Sequence, residues 1–354
     1  MIETIDIKIG QTAKSRINEL DFDNIPFGRV FSDHMFVAEF DNGVWKNFEI
    51  RPYEFLSLSP ANTILHYGQS VFEGMKAYKN LNGEAILFRP LDNFIRLNKS
   101  ARRMCIPELP EELFMGGLTE LIRKDSQWIP DRPGTSLYVR PFIFASDDYI
   151  GIKPSDTYKF IIFTCPVGAY YSQPVRVKIE TEFSRAFEGG VGYAKTGGNY
   201  AASLYPAKLA QEKGYDQLIW TDGKTHQYIE ESGTMNLMFV IDGKIITAPT
   251  DDTILKGVTR DSALTLARDW GIEVEERKVA VAEILEALKA GKVQEAFGTG
   301  TAATIAHIAE IGYDGVDYQL PPVEGRTVSN KILAALNDIK LGKAEDKFNW
   351  IHKV

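Results

Sequence analysis

The sequence has 354 residues, of which 44% are hydrophobic and 25% charged, as in an ordinary globular protein. This length exceeds the roughly 250 to 300 residues at which one hydrophobic core usually stops growing, so two domains are expected. The formal net charge of -8 opposes the broad positive field that attracts nucleic acid or an anionic membrane, so neither is expected as a partner.

The cysteines and histidines also limit which classes of protein and which kinds of site the sequence can encode. Cys105 and Cys165 both lie in apolar surroundings, which favours buried thiols in a reducing compartment over a disulfide framework. The N-terminus lacks the apolar core of a signal peptide, and no apolar run is long enough to span a membrane. The histidines are scattered without a zinc-binding spacing. We therefore expect a cytoplasmic protein without a metal site.

The first half of the chain predicts strands at residues 30–40 and 44–50 around the hairpin signal Asp41-Asn42-Gly43. Helices are predicted at 91–104 and 110–124, and strands at 136–145 and 159–167. The second half predicts strands at 175–183, 217–221, 272–279 and 293–297, a hairpin at 236–247, and helices at 200–213, 260–270, 281–290 and 327–341.

A break containing Gly, Ser and Pro follows residue 167 and indicates a domain boundary. We predict a small N-terminal α/β domain at 1–168, an interdomain loop at 169–176 and a large C-terminal α/β domain at 177–354. The fold class is α/β with mixed α+β character.

Lys195 lies in a loop rich in glycine, GGVGYAKTGG, directly before a predicted helix. A lysine that bonds covalently to a flat cofactor ring must approach it closely, and glycines permit that approach. This pattern fits pyridoxal-phosphate chemistry. A solvated lysine on a flexible loop is the alternative.

Glu231 precedes the apolar strand that begins near Leu237. A fixed carboxylate there can keep a cofactor's pyridine nitrogen protonated, although a solvated strand end explains it equally well. Two further segments suit phosphate: Lys256-Gly-Val258-Thr259-Arg260 opens a helix, and Phe297-Gly-Thr-Gly-Thr301-Ala302 follows a strand. Helix capping by Thr259 and a tight turn at 298–300 are the structural alternatives.

The segment Gly298-Thr-Gly300-Thr-Ala-Ala303 also matches a dinucleotide-binding pattern, so a Rossmann oxidoreductase is the rival from another reaction class. A Rossmann turn should open a helix, whereas the residues that follow include the strand-favouring Thr304, Ile305 and Ile308. Aromatic residues at 67, 72, 138 and 170 suit either core packing or an apolar substrate cleft.

Taken together, these segments resemble the branched-chain aminotransferases, which are fold type IV pyridoxal-phosphate enzymes. The resemblance runs from about residue 25 to the C-terminus. It is carried in order by LHYGQSVFEGMKAY, GTSLYVRP, CPVGAY, GGVGYAKTGGNYAASL, EESGTMNLMFV, GVTR and FGTGTA. D-amino acid transaminases, amine transaminases and aminodeoxychorismate lyases share the fold, but GGNYAAS and EESGTMNL favour the branched-chain group.

The resemblance implies a role for each matching residue. Pyridoxal 5′-phosphate would be bound by Lys195 (covalently, as the catalytic residue), Arg96, Tyr200, Glu231, Val258, Thr259 and Thr301. Substrate would be bound by Tyr67, Phe72, Tyr138, Arg140, Tyr170, Thr234 and Ala302, with Arg140 receiving the second carboxylate of glutamate.

The implied reaction is transamination of L-leucine, L-isoleucine and L-valine with 2-oxoglutarate in a homodimer, giving branched-chain 2-oxo acids and L-glutamate. Two departures from the family stand out. Lys256 replaces a common proline, which leaves the Gly-Val-Thr donors intact. Ala303 and Ala306 stand where mammalian members have a redox Cys-x-x-Cys, so no thiol switch is expected.

Overall fold

A computed structural model describes residues 5–168, 170–171 and 173–354. The chain divides into two compact units, each combining a sheet with helices, as the predicted mixed class requires. Unit 1 contains Met1–Tyr170, Ala194–Gly197 and Asp338–Val354, and unit 2 contains Tyr171–Tyr193 and Gly198–Asn337.

Both units are built from short strands joined by turns and helices. In chain order the strands are β1 (Lys8–Ile9), β2 (His34–Asp41), β3 (Val44–Pro52), β4 (Ser70–Phe72), β5 (Met75–Lys79), β6 (Ala85–Phe88), β7 (Ser136–Ala145), β8 (Tyr158–Val167), β9 (Val175–Ile179), β10 (Gln217–Thr221), β11 (Tyr228–Ser232), β12 (Met235–Ile241), β13 (Lys244–Thr247), β14 (Val274–Glu276), β15 (Val279–Ala280), β16 (Val293–Gly300), β17 (Thr304–Tyr313), β18 (Val316–Gln319) and β19 (Ile351–Lys353). The helices are α1 (Thr63–Tyr67), α2 (Pro90–Arg103), α3 (Glu111–Lys124), α4 (Gly197–Glu212), α5 (Val258–Asp269), α6 (Val281–Lys289) and α7 (Val328–Lys340). Short 3-10 turns lie at Ile17–Glu19, Ser126–Trp128 and Val323–Gly325.

The sheet of unit 1 has the strand order β1-β3-β2-β8-β7-β5-β6-β19, with β4 paired to β7. Its pairings are antiparallel except that of β1 with β3. The β2–β3 turn has φ angles of 52° at Asn42 and 81° at Gly43, which fit a type I′ hairpin. The hairpin predicted for these residues is confirmed.

Helices α2 and α3 supply part of the unit 1 core. Phe36, Phe114, Trp128 and Phe160 are fully buried within it. Helix α3 carries glutamates in its first turn and basic residues in its last turn, as the helix dipole favours. Helix α2 contacts β4, and α3 contacts β2, β3 and β8, so the two helices cover part of the unit 1 sheet.

The compact units differ from the predicted domains at two places. Asp338–Val354 belongs to unit 1, because β19 pairs with β6 and the Arg89 N–H donates to the Trp350 carbonyl at 2.7 Å. Ala194–Gly197, which carries Lys195, also belongs to unit 1. Unit 1 therefore contains more residues than unit 2, whereas the sequence predicts a smaller first domain. The first division between the units falls after Tyr170.

The sheet of unit 2 has the order β14-β13-β12-β16-β17-β9-β10-β11-β15, with β18 paired to β17 and β12 also paired to β11. Parallel pairs join β9 to β10 and β17, and β13 to β14. The β12–β13 turn at Asp242 and Gly243 has φ angles of 51° and 76°, so the second predicted hairpin is also confirmed. Leu237, Phe239 and Ile308 are among the buried side chains of its core.

Candidate active site

Lys195 lies in unit 1, directly before the first residues of α4. Its backbone N–H donates to Ser100 Oγ at 2.9 Å, and its carbonyl accepts from the Phe72 N–H at 3.0 Å. Its Nζ lies 4.8 Å from the centroid of the Phe72 ring. Both the backbone and the amine are therefore held, so the alternative of a solvated lysine on a flexible loop is wrong.

The glycines around Lys195 have different reasons to be glycine. A Cβ at Gly192 would lie 2.5 Å from the Thr253 carbonyl oxygen, and one at Gly190 would lie 2.8 Å from that of Phe187. These two glycines permit tight packing of the chain on itself. Gly198, by contrast, has nothing within 4 Å of its Cβ position. Of these three, only Gly198 is open in the way that approach to a flat ring requires.

Arg96 on α2 is fixed by Glu73, a residue that the motif analysis missed. Arg96 Nε donates to Glu73 Oε1 at 2.7 Å and Nη2 to Oε2 at 2.8 Å, while Asn93 Nδ2 donates to Oε2 at 2.8 Å. Burial of Glu73 opposes its ionisation, but the charges of Arg96 and Lys195, together with hydrogen bonds from Arg96 and Asn93, outweigh burial and hold the Glu73 pKa below its usual value. The guanidinium has a defined direction because its partner is immobile.

Phe72, Tyr138 and Arg140 form one cluster in unit 1. Arg140 Nη2 donates to the Tyr138 hydroxyl at 2.9 Å, and its guanidinium carbon lies 4.7 Å from the Phe72 ring centroid. A Cβ at Gly74 would lie 2.2 Å from the Tyr138 hydroxyl oxygen. Arg140 Nε is buried and has no hydrogen-bond partner among the residues that the structure describes. The cluster joins apolar rings to a cation with an unused donor.

Phe27 is a further member that sequence reasoning missed. Its ring centroid lies 4.8 Å from that of Tyr170 and 5.8 Å from that of Tyr138, both edge-on. Burial raises the pKa of Tyr170, and the nearby Tyr138 raises it further, so this phenol stays neutral. Pro26 and Gly28, which has a φ of 67°, flank Phe27 and are the local signals of a turn at this point.

Tyr67 differs from the other predicted substrate residues. It ends α1, which Asn62 caps and Gly68 terminates with a φ of 64°. Its side chain is 41% exposed, and its ring centroid lies 6.1 Å from that of His66. The structure therefore brings Phe72, Tyr138, Arg140 and Tyr170 together and leaves Tyr67 on an exposed surface.

Glu231 on β11 is the buried acid of unit 2, being 4% exposed. Its Oε1 accepts from the Leu255 N–H at 2.6 Å and from Asn236 Nδ2 at 3.3 Å. Its Oε2 lies 3.4 Å from Arg185 Nη2, a contact that was not predicted. A solvated strand end is therefore excluded, and the carboxylate is oriented by several donors.

The segment containing Val258 and Thr259 opens α5, as predicted. Gly257 is the N-cap and no side chain caps the helix, so the alternative role of Thr259 as a cap is wrong. A Cβ at Gly257 would lie 2.0 Å from Asn236 Oδ1. Glycine at this position lets the helix begin against Asn236, whose amide also donates to the Leu255 carbonyl at 2.9 Å.

Thr301 and Ala302 lie in the turn between β16 and β17. The glycine pair ends β16, the turn lies at 301–303 and not at 298–300 as the structural alternative predicts, and β17 begins at Thr304. A second strand follows in place of a helix, which excludes the Rossmann alternative. Asn236 pairs with both Glu231 and Thr299 across neighbouring strands. A Cβ at Gly300 would lie 3.8 Å from the Thr234 carbonyl, so the two turns of unit 2 are neighbours.

Tyr200 lies in the first turn of α4 and is half-buried. In unit 2, Asn199 Nδ2 donates to the Val191 carbonyl at 2.9 Å and ties this helix to the glycine-rich loop.

The two cysteines differ in exposure. Cys165 is buried, as predicted, whereas Cys105 is exposed after α2 with a φ of 55°, so the predicted burial of Cys105 is wrong.

Neither a membrane span nor a metal cluster is found in the described part of the chain. No helix there is long and apolar enough to cross a bilayer. Likewise, no group of three or more His, Cys, Asp or Glu side chains in that part is arranged to hold a metal ion.

Relatives match this chain over nearly its full length. Branched-chain-amino-acid aminotransferase 2 of Bacillus subtilis is 43% identical over 99% of this chain and 97% of the relative, and transaminase 1 of that organism is 44% identical over 94% and 95%. The family model for amino-transferase class IV matches residues 70–311. The chain belongs to the branched-chain aminotransferases of class IV.

Solved branched-chain aminotransferases share this fold, as fold type IV membership requires. The enzyme of Thermoproteus uzoniensis, solved with norvaline, has a TM-score of 0.74 at 28% identity, covering 90% of this chain and 99% of that one. The T.th. enzyme, complexed with N-(5′-phosphopyridoxyl)-L-glutamate, has a TM-score of 0.71 at 25% identity, covering 89% and 97%.

Proposed function

We propose that this aminotransferase transfers the amino group of L-leucine, L-isoleucine or L-valine to 2-oxoglutarate, with pyridoxal 5′-phosphate as cofactor. The observation that carries the proposal is Lys195, whose backbone is fixed at both sides and whose amine lies over Phe72. The T.th. relative binds a phosphopyridoxyl derivative of L-glutamate, which supports both the cofactor and the amino-group acceptor.

The donor chemistry of the predicted residues fits this cofactor. Glu231 is a buried carboxylate, which suits a protonated pyridine nitrogen. A cationic phosphate partner, helix N–H donors and hydroxyls are present in Arg96, Val258, Thr259, Thr301 and Tyr200, which we assign to the phosphate and the ring oxygen. Glycine at 257 admits the start of α5 close to Asn236, where any side chain would collide.

Pyridoxal phosphate, when bound, would supply an aldehyde that takes the amino group and a ring that accepts the electron pair left on the substrate Cα when its proton is removed. Lys195 Nζ would hold the cofactor between turnovers and, once released, would accept the proton from the substrate Cα as a general base. Glu231 keeps a negative charge in place, and its three contacts prevent it from turning away.

Substrate-binding roles are assigned to the residues that match the family's motifs. In unit 1, Phe72, Tyr138 and Tyr170 surround the branched side chain and exclude water, with Phe27 extending this apolar wall. Arg140 receives the second carboxylate of glutamate, and its buried, unpaired Nε is the donor that supports this assignment. Thr234 and the Ala302 N–H, which lie in neighbouring turns of unit 2, bind the α-carboxylate.

We further propose that the protein is a cytoplasmic homodimer. Large apolar side chains of unit 1 are exposed, among them Phe55 and Ile152, at 101% and 95%, and also Leu65, Tyr67 and Ile150. Exposed apolar side chains of this size favour a second copy of the chain as the partner. Ile152→Lys should lower the mass measured by light scattering from dimer to monomer; an unchanged mass argues against a role for Ile152 in dimerisation.

The deciding experiment records the visible spectrum of the protein treated with pyridoxal phosphate, before and after L-leucine is added without an oxo acid. The band of the lysine-bound cofactor should give way to that of pyridoxamine phosphate, and D-alanine should leave it unchanged. If L-leucine leaves the band unchanged, the result would favour an enzyme that shares the fold but takes another substrate.

Lys195→Ala is the matched variant for this experiment. It should retain its fold but lose turnover, because both the covalent link to the cofactor and the transfer of the Cα proton are assigned to the Lys195 amine. Wild-type rates in Lys195→Ala would overturn the assignment of Lys195.

A further inference from the structure

Glu230 is a second buried carboxylate, and none of the roles proposed above uses it. It precedes Glu231 in β11 and is 7% exposed. Thr253 provides a side-chain hydrogen bond to it, while its Oε2 has no hydrogen-bond partner in the described part of the chain. An acid buried with an unsatisfied oxygen is costly to the fold, so its presence calls for a functional reason.

Arg185 acts on both glutamates. Its Nη2 lies 3.4 Å from Glu231 Oε2 and also donates to the carbonyl oxygens of Gly192, at 3.2 Å, and of Thr253. Its Nε is buried and, within the residues described, has no partner. Its charge also favours ionisation of Glu230. Thr253 connects the two, since its carbonyl accepts from Arg185 and its side chain hydrogen-bonds to Glu230. Glu230, Arg185 and Glu231 are therefore linked, through Thr253, in one network of unit 2.

The net charge of this network depends on Glu230. The pair of Arg185 with Glu231 is neutral as a whole, so it offers no net charge to balance a protonated pyridine nitrogen. An ionised Glu230 gives the network one net negative charge, which matches that nitrogen. We propose that Glu230 is a positioning residue that acts through Arg185 and Glu231 to strengthen binding of the protonated cofactor ring. The proposal rests on the function proposed above, since it takes Glu231 as the partner of the ring.

The network has a built-in pH dependence. Burial raises the pKa of Glu230 to about 6, the like charges of Glu231 and Asp251 contribute in the same direction, and Thr253 and Arg185 oppose the rise. Glu230 is therefore ionised at neutral pH and becomes neutral in mild acid. The net negative charge disappears over that range, and with it the contribution of Glu230 to cofactor binding.

The test measures the dissociation constant of pyridoxamine 5′-phosphate for the apo-protein by calorimetry. This amine forms no covalent bond with Lys195, so its affinity reports the non-covalent contacts alone. Glu230→Gln should bind about tenfold more weakly than wild type at about pH 7.5, and equally well at about pH 5. Comparison at one pH cancels titration of the ligand's own phosphate, whose second pKa is about 6.

Two variants control the comparison. Glu230→Asp keeps the charge and should retain the pH dependence of wild type. Glu273→Gln removes an exposed partner of Lys244 in the same unit and should bind as wild type does at both pH values. Equal binding by wild type and Glu230→Gln at both pH values would overturn the proposal.

Thr253→Val provides an independent measurement if Glu230→Gln does not fold. It removes a hydrogen bond that lowers the Glu230 pKa, so the pH dependence of binding should move to higher pH. A midpoint unchanged from wild type would contradict the role of Glu230. A wild-type protein that binds no pyridoxamine phosphate at any pH would instead remove the function proposed above.

Discussion

The two units hold their proposed site residues in different ways. In unit 1 the two arginines of the proposed site are held by other side chains: Arg96 is bound by Glu73, and Arg140 by Tyr138. In unit 2 much of it is done by the backbone: the Leu255 N–H fixes Glu231, and strand register sets the neighbouring turns. Unit 1 should therefore fail when a partner side chain is removed, and unit 2 when a glycine gains a side chain.

The largest expected effect is that of Glu73→Gln, which breaks the buried ion pair of unit 1. Arg96 would keep its charge at about 9% exposure without a carboxylate to balance it. Removing one partner of a buried pair typically costs about 3–5 kcal/mol of unfolding free energy. Urea denaturation should show this loss.

Glu108→Gln is the matched control, since it removes the partner of exposed Arg102 in the same unit. Its cost should be below about 1 kcal/mol, as for other exposed pairs. Equal destabilisation by the two variants would mean that Glu73 does not hold Arg96 as described.

Next in size is Arg140→Gln, which should separate the two substrates. We expect kcat/KM for 2-oxoglutarate to fall about thirtyfold, because a charged hydrogen bond to the distal carboxylate is lost. Leucine has no distal charge, so its half-reaction should change far less. Steady-state kinetics with each substrate varied in turn measures both, and an equal fall for both would assign Arg140 a merely structural role.

This comparison also explains how much the sequence could predict. Some segments of unit 2 depend on backbone geometry, and their glycines can be seen directly in the local sequence. These segments are Gly257-Val-Thr259 and Gly298–Ala302. The hairpin turns and the helix ends were likewise predicted to within a few residues. Such local structure can be predicted because the residues that cause a turn or a helix end lie next to it in the sequence.

Partners that come from distant segments could not be read in this way. Phe27 meets Tyr138 and Tyr170 only after the sheet of unit 1 has formed, and Arg185 reaches Glu231 across the fold of unit 2. Pairing of β19 with β6 involves three residues that have no periodicity of their own. These contacts are set by tertiary structure, so the helix and strand patterns contain no sign of them.

A moderate effect is expected of Gly257→Ala in unit 2. The new Cβ would displace the Asn236 amide, which donates both to Glu231 and to the Leu255 carbonyl. We expect pyridoxamine phosphate to bind about tenfold more weakly while the fold survives. Gly325→Ala is the control, since nothing lies within 4 Å of its Cβ position. Normal binding by Gly257→Ala would show that Asn236 does not need its present orientation.

The smallest effect is a gain in stability from Glu230→Gln. Because burial raises the folded-state pKa of Glu230 to about 6, keeping this group ionised costs stability above that pH. As pH falls through 6 and then through the ordinary glutamate pKa of about 4.3, the cost shrinks and disappears. Glu230→Gln should thus be about 1–2 kcal/mol more stable than wild type at neutral pH and no more stable near pH 4. Urea denaturation at both pH values measures this. A variant less stable than wild type at neutral pH would contradict the argument. If Glu230→Gln is instead more stable and also binds the cofactor more weakly, Glu230 strengthens cofactor binding while it lowers the free energy of unfolding.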